Sequence, residues 1–314
     1  MSGDAPLVAG RTSRRAGRRR ARDWRHDPRT IAILVLPFLT LFTVFYVLPI
    51  AYAVIESLTG LKRTGAFSPP ESVFVGLANY ASVLSDSAFQ TSLGNLLFYG
   101  LGPSTVLVLL GLALALLIDA RKPGRLTAFF RLTSFAPFAV PAVVGAIMWG
   151  FLYAPTTSPF LGALASLGIH LDPLGGDPTW AIGNVAIWTF AGYDALIFLA
   201  ALATVPSEVL EYARLEGAGP IRVAWSIKLP MIRPTIILIV VFTIIGVLQL
   251  FTEPMMLRSL SSSITSSWAP NMLAYSQAGA GAYSYAAAVS VILAVGTAVL
   301  SFGLLRLSMR ERTP

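Results

Sequence analysis

Residues 205–230 read VPSEVLEYARLEGAGPIRVAWSIKLP and stand between two apolar walls. One apolar run ends near Thr204 and another begins near Pro234. Lipid cannot hydrate the charges of this stretch, so it lies outside the hydrocarbon. Pro206-Ser207-Glu208 reads as a helix start, with Glu208 and Glu211 near the positive end of the dipole. Glu208, Glu211 and Arg214 recur every third residue and share a face, while Val209, Leu210, Ala213 and Leu215 are placed to form an apolar strip. Gly217-Ala218-Gly219-Pro220 stops that helix, because glycine allows a left-handed turn and proline cannot continue it. A second short helix is expected over Ile221–Lys228, ending at Leu229-Pro230. The stretch is two short helices about a glycine elbow.

The flanking walls set the fold class. The chain is 55% apolar and 12% charged, where a soluble domain carries about a quarter charged residues. It has no cysteine, which excludes a disulfide framework and a thiolate metal site. Apolar runs occupy about 31–57, 93–118, 134–153, 181–203, 234–256 and 283–305. Each is long enough to cross a hydrocarbon core of about 30 Å. Six crossings put both termini on one side. Twenty of the 23 Lys and Arg residues flank that side, against Lys62, Arg63 and Arg258 on the other. The basic side is the cytoplasmic one. The expected fold is therefore all-α and integral to the cytoplasmic membrane, multi-pass, with six transmembrane helices. The termini and the 205–230 loop between helices 4 and 5 are cytoplasmic.

The same distribution explains the net charge of +8. It borders membrane segments rather than forming a nucleic-acid patch, so no specific nucleic acid is expected. Residues 1–30, with nine arginines, read as a basic disordered tail that fixes topology and touches anionic membrane lipid. The membrane domain is 31–306, and 307–314 is a C-terminal tail. The first span exceeds the roughly 7–15 residues of a signal-peptide core, so no cleavage is expected after Ala51-Tyr52-Ala53. Pro37 and Pro49 mark places where this span can kink. Small residues Ala282, Ala286, Ser290, Ala294 and Ala298 recur every fourth position in the sixth span. They suit close helix packing, either within the chain or against a second subunit.

Glu211-Tyr212-Ala213, Glu216-Gly217-Ala218 and Ile227-Lys228-Leu229-Pro230 together resemble a family motif. The pattern Glu-x-Ala-x-x-acid-Gly-Ala, followed by Ile-x-Leu-Pro, is similar to the cytoplasmic loop of permease subunits of binding-protein-dependent ABC importers. Tyr212 stands where alanine is usual and Glu216 where aspartate is usual; the leading carboxylate and the glycine remain. Gly76-Leu77-Ala78-Asn79-Tyr80, with Phe89 and Asn95, also resembles the first external loop of sugar-importer permeases, such as the maltose and glycerol-phosphate types. The resemblance implies that the loop carries a coupling helix that docks on an ATPase subunit. Glu211, Ala213, Glu216, Gly217, Ala218, Ile227, Leu229 and Pro230 would be its working residues. It further implies a second homologous permease, two ATPase subunits and an extracytoplasmic sugar-binding protein as partners. Alternating access would move the sugar, a disaccharide or oligosaccharide, inward.

No Gly-x-x-x-x-Gly-Lys occurs, and none of Lys62, Lys122 and Lys228 follows a glycine. The phosphate-cradling loop is missing. ATP and Mg are thus expected on partner subunits, with no cofactor, metal or catalytic residue in this chain. An intramembrane serine hydrolase would need a histidine beside its nucleophile, and His26 and His170 both fall in polar segments.

Few charges enter the spans. Asp194, in Trp188-Thr189-Phe190-Ala191-Gly192-Tyr193-Asp194, falls near the middle of the fourth. A mid-membrane carboxylate is costly and faces a cavity or a partner. With Tyr193 it can border a translocation path, the acid accepting sugar hydroxyls and the ring covering the sugar's apolar face; alternatively it fixes helix packing. Gln249, Phe251 and Glu253 are further path candidates, in a piece that resembles the fifth helix of sugar permeases. Glu253 is also open to a reading as simply solvated at the membrane interface. Glu56 and Asp119, at span ends, read as solvated. A proton-coupled secondary transporter using Asp194 or Glu253 is the alternative function, and it leaves the Glu211 loop without a role.

Overall fold

The computed structural model describes residues 28–62, 71–155 and 157–310. The arginine-rich tail before residue 28, together with Arg63, Pro69-Pro70 and Arg312, lies outside the described residues. The chain divides into two units, Met1–Tyr52 and Ala53–Pro314.

In the first unit, α1 spans Pro28–Phe42, a π-helical turn follows at Thr43–Val47, and α2 starts at Leu48 and runs to Ser57. The proline positions have different outcomes. Pro37 sits inside α1. Pro49 follows the π turn, whose wider spacing frees the carbonyl that the proline ring cannot serve. Phe38, Phe42 and Tyr46 stack in succession, with ring centroids 5.9 and 5.4 Å apart.

The second unit begins with a two-stranded antiparallel ribbon, β1 (Thr59–Lys62) and β2 (Glu71–Phe74). Helices α3 (Ala78–Ser85), α4 (Ser87–Leu101), α5 (Pro103–Asp119), α6 (Arg125–Phe135) and α7 (Ala142–Tyr153) follow. Then come α8 (Pro159–Ser166), α9 (Thr179–Leu202), α10 (Ser207–Leu215), α11 (Pro220–Val223) and α12 (Leu229–Met231). The chain continues with α13 (Arg233–Leu248), α14 (Thr252–Leu257), α15 (Pro270–Gly279) and α16 (Tyr283–Arg310). Among the described residues five helical segments are long and apolar enough to cross a membrane, and six if one bent pair counts as a single span.

The spans are less straight than their apolar runs. The second, Ser87–Asp119, is two helices joined at Gly102, with Pro103 opening α5. The third is the bent pair: Arg125–Ala139 and Ala142–Tyr153 meet at 96°. Pro137 and Pro141 fall at that corner. Ala142, just after Pro141, starts a fresh helix, since a proline interior to a helix forfeits a hydrogen bond. The fifth span breaks at Gln249–Phe251, between α13 and α14. The sixth helix continues unbroken to Arg310, past the expected start of a tail at 307.

Helix α9 is the axis of this unit. It runs parallel to α5, and two glycines permit the approach. A Cβ at Gly183 would overlap the Pro103 ring, and one at Gly111 would lie 2.9 Å from the Asp194 Cβ. A Cβ at Gly192 would overlap the Ser134 carbonyl, so the corner of the third span rests directly on α9. Without water to drive burial, such close van der Waals packing is what joins helices in lipid. Ala115, Ile118, Phe198, Leu199 and Leu202 fill the α5–α9 seam further along.

On α16, Ala288, Val289 and Leu293 are buried against Val83, Phe89 and Leu273. Of the small-residue stripe, Ala286 is buried whereas Ser290, Ala294 and Ala298 are exposed. Most of that stripe therefore does not serve packing within the chain.

Gly-Leu-x-Asn-Tyr becomes a clasp. Gly76 takes φ +60°. The Asn79 amide donates to the Ser57 and Thr59 carbonyls at 2.8 and 2.7 Å. Tyr80 shares a 2.6 Å hydrogen bond with the Ser57 hydroxyl. Asn95 donates to the Trp268 carbonyl at 3.0 Å, drawing in the segment before α15. Asp86 caps α4 by accepting from the Ala88 amide at 2.8 Å, and Tyr285 of α16 donates to its other oxygen.

Candidate functional site

Two places in the second unit carry the expected functional residues. The first is the loop between α9 and α13. Its first helix, α10, ends in a closed C-cap. The Ala218 amide donates to the Ala213 carbonyl at 2.9 Å, and the Gly217 amide to the Arg214 carbonyl at 3.0 Å. Gly217 holds φ +76°. This is the Schellman arrangement, in which a residue in the left-handed region satisfies the last carbonyls of a helix. Ala213, Gly217 and Ala218 of the sequence motif are thus the cap itself: two bonded ends and the residue that can turn between them.

The apolar strip differs from expectation. Leu210 packs inward with Val205 and Ile232, but Leu215 is 83% exposed. Tyr212 is 71%, Ile221 76% and Trp225 70% exposed. A helix needs only a narrow inner stripe when its neighbour is small, and Leu210 with half-buried Ala213 supplies it. The large side chains face away, beside exposed Glu211 and Glu216.

The second helix of the loop also differs. It starts at Pro220, passes through a π turn at Ala224–Lys228 and continues through Leu229–Met231, so Pro230 does not end it. As at Pro49, the π turn precedes the proline by two residues and takes up the missing donor. Ile227 and Leu229 are half-buried, and Ile232 is buried. Lys228 reaches across to Asp119, the last residue of α5, in an ion pair. Asp119 is therefore paired rather than freely solvated, because the loop folds back under the end of its span. Glu56 likewise has a partner, accepting from the Ser284 hydroxyl at 2.9 Å.

The second place is a cavity of about 560 Å³ among α4, α5, α9, α13 and α14. Tyr193, Asp194, Gln249, Phe251 and Glu253 all line it. The break in the fifth span is what brings them together. Gln249 ends α13, Phe251 leaves helical geometry at φ −151°, and Glu253 enters the first turn of α14. Irregular backbone at membrane depth is tolerated where it lines a cavity. The freed Leu248 carbonyl accepts from the Asn271 amide at 3.0 Å. Glu253 is half-buried in the cavity wall, not solvated at an interface.

Asp194 is 7% exposed and makes no hydrogen bond or ion pair with another described residue. Tyr193 is set by a stack on Phe138, with centroids 4.4 Å apart and planes 17° apart. Phe251 meets the edge of Tyr275 at 5.4 Å. Sequence reading missed Tyr99, Ser104 and Thr243, which also line the cavity. They sit in apolar runs with no charge to mark them; only their hydroxyls set them apart from their neighbours.

Residues 107–310 match the family of binding-protein-dependent transport system inner membrane components. The chain belongs to that family. The permease is 30% identical over 307 residues to the diacetylchitobiose uptake system permease protein NgcF of Streptomyces coelicolor, covering 91% of this chain and 84% of that one. It is 33% identical over 222 residues to the sn-glycerol-3-phosphate transport system permease protein UgpA of Agrobacterium fabrum, covering 70% and 74% respectively. Its fold matches a bacterial alginate ABC transporter solved with an alginate pentasaccharide-bound periplasmic protein. That match has a TM-score of 0.78 at 20% identity, over 93% of the permease and 99% of the other chain. The permease is a multi-pass helical membrane protein, and both the 205–230 loop and the Asp194 region fall inside the family match.

Proposed function

We propose that the permease moves a sugar inward across the cytoplasmic membrane by alternating access, driven by ATP bound on separate ATPase subunits. The convergence of Tyr193, Asp194, Gln249, Phe251 and Glu253 on one cavity carries this reading. It provides a mostly apolar, aromatic-walled chamber with a few polar groups within the spans, and the fifth span is broken beside it. A disaccharide has hydroxyls for the acids and apolar ring faces for Phe251 and Tyr193. Relatives that serve diacetylchitobiose and sn-glycerol-3-phosphate uptake support the carbohydrate class.

In this reading the permease performs no bond chemistry and binds no cofactor or metal. ATP and Mg belong to two ATPase subunits. A second homologous permease completes the membrane part, and an extracytoplasmic binding protein delivers the sugar, as the family's description and the alginate complex support. The excess of Lys and Arg supports a cytoplasmic placement of both termini and of the coupling loop. The arginine-rich tail then lies against anionic lipid.

The coupling loop meets the ATPase. Exposed Tyr212, Leu215, Ile221 and Trp225 supply apolar contact, and Glu211 a charge-assisted bond that fixes orientation. Glu216 adds a second carboxylate, Gly217 the elbow, and half-buried Ile227 and Leu229 anchor the loop to its spans, with Pro230 continuing their helix. ATP-driven closure of the ATPase pair shifts the loop, and the spans follow.

Co-purification from the native membrane tests the assembly. An ATPase, a second permease and a secreted sugar-binding protein are expected with this chain. A chain that purifies alone and transports in ATP-free vesicles would overturn the proposal.

A further inference from the structure

We propose that the cavity admits neutral and amine-bearing sugars and rejects anionic ones, with Asp194 and Glu253 setting this charge rule. The inference rests on reading the cavity as the sugar path. Relatives of this permease span both chemistries, since diacetylchitobiose is uncharged and sn-glycerol-3-phosphate is an anion.

Three observations carry it. Asp194 is 93% buried, at 7% exposure, and borders the cavity without a hydrogen-bond or ion-pair partner among the described residues. Its acceptor oxygens have no partner among those residues and are left for a ligand. Glu253 brings a second carboxylate from the α14 side of the same wall. Among the described residues no Lys, Arg or His lines the cavity. Lys228, at the loop, is already paired with Asp119.

The wall therefore offers acceptors and hydroxyls, and no cationic donor. Sugar hydroxyls donate to the two acids, and an ammonium group adds an ion pair. The carboxylate of a uronate, or the phosphate of an ester, adds acceptors of like charge to a chamber with low-dielectric walls, where repulsion is weakly screened. The aromatic faces of Phe190, Tyr193 and Phe251 do not discriminate by charge, since each of these sugars presents an apolar ring face.

Direct binding to the assembled importer in nanodiscs, without its binding protein, tests the rule. The probes are diglucosamine, cellobiose and digalacturonate, matched in size and differing in charge. Diglucosamine is expected to bind about tenfold more tightly than cellobiose, one decade in the dissociation constant, and digalacturonate not detectably. Asp194→Asn and Glu253→Gln, singly and together, remove charge while keeping shape. They should erase the preference for the amine, and the double variant should admit digalacturonate. Equal binding of digalacturonate and cellobiose by the unaltered importer, or an unchanged order in the double variant, overturns the rule. ATP-driven uptake with the native binding protein separates the two readings. Sugar uptake without charge discrimination removes the charge rule alone; no uptake and no binding of any sugar removes the path as well.

Discussion

Lys228 in the loop after α9 pairs with Asp119 at the end of α5, tying the coupling loop to the helix that packs beside Asp194. Both side chains are mostly shielded, at 16% and 25% exposure. Removing one partner leaves a partly buried charge unmet, at a cost of about 1–3 kcal/mol once residual solvent is allowed for. Asp119→Asn and Lys228→Met should each lower thermal stability and the sugar transported per ATP hydrolysed. The exchange Asp119→Lys with Lys228→Asp should recover much of both. A swap no better than the single variants would show that the pair has no role in transmission.

The elbow makes a separate prediction. Gly217 at φ +76° has open space around it, so alanine there meets no clash and pays only backbone strain of about 1–2 kcal/mol. Gly217→Pro removes a capping amide as well. Glu211→Lys leaves the turn intact and reverses the charge offered to the ATPase. Gly217→Pro and Glu211→Lys should insert normally yet separate ATP hydrolysis from transport, read as phosphate release against sugar uptake in proteoliposomes. Unimpaired uptake in both would remove the loop from the coupling step.

Much of this was legible in the sequence, and the residues show why. A twenty-residue apolar run, a Gly-Ala pair after a polar helix and a lone Asp among aromatics are local signals that survive folding. The break at Gln249–Phe251 is not local. No glycine or proline stands within those three residues. The break is held open by Asn271, 23 positions on, from a segment that reads as a polar loop but folds back as α15. Tyr99 and Thr243 were invisible for a related reason: their role depends on which face meets the cavity. Pro137 and Pro141 lie within the third apolar run, but the 96° bend and the contact of the Ser134 carbonyl with Gly192 join residues distant in sequence.

That contact can be broken cleanly. Gly192→Ala sets a methyl group against a backbone carbonyl that cannot rotate aside, and overpacking of this kind costs about 1–3 kcal/mol or more. The variant should give less folded protein and a lower melting temperature in detergent. Gly162→Ala in α8, where nothing lies within 4 Å of the added carbon, is the control and should leave both unchanged. Equal behaviour of the two variants would contradict the packing of the third span's corner on α9.

Asn271→Ala deprives the part-buried Leu248 carbonyl of its donor, and an unmet acceptor there costs about 1 kcal/mol. Because that carbonyl lies at the break, the variant should slow transport as well as lower thermal stability. Asn271→Asp, of equal size but without the amide donor, should behave alike. Full transport by both would mean that the broken geometry holds without this bond.

The Schellman closure of α10 also bears on the order of assembly. Its two hydrogen bonds run between backbone groups five and three residues apart, from Ala213 to Ala218 and from Arg214 to Gly217. No side chain from elsewhere is required, so the turn can set during synthesis, before any other subunit arrives. A docking element whose shape is fixed in advance loses little conformational freedom on contact, and more of its contact energy is left for affinity. The exposed Leu215 and Trp225 on either side of that turn are then a standing apolar surface in the isolated chain. An unassembled copy carries the mark by which quality control, or aggregation, would find it.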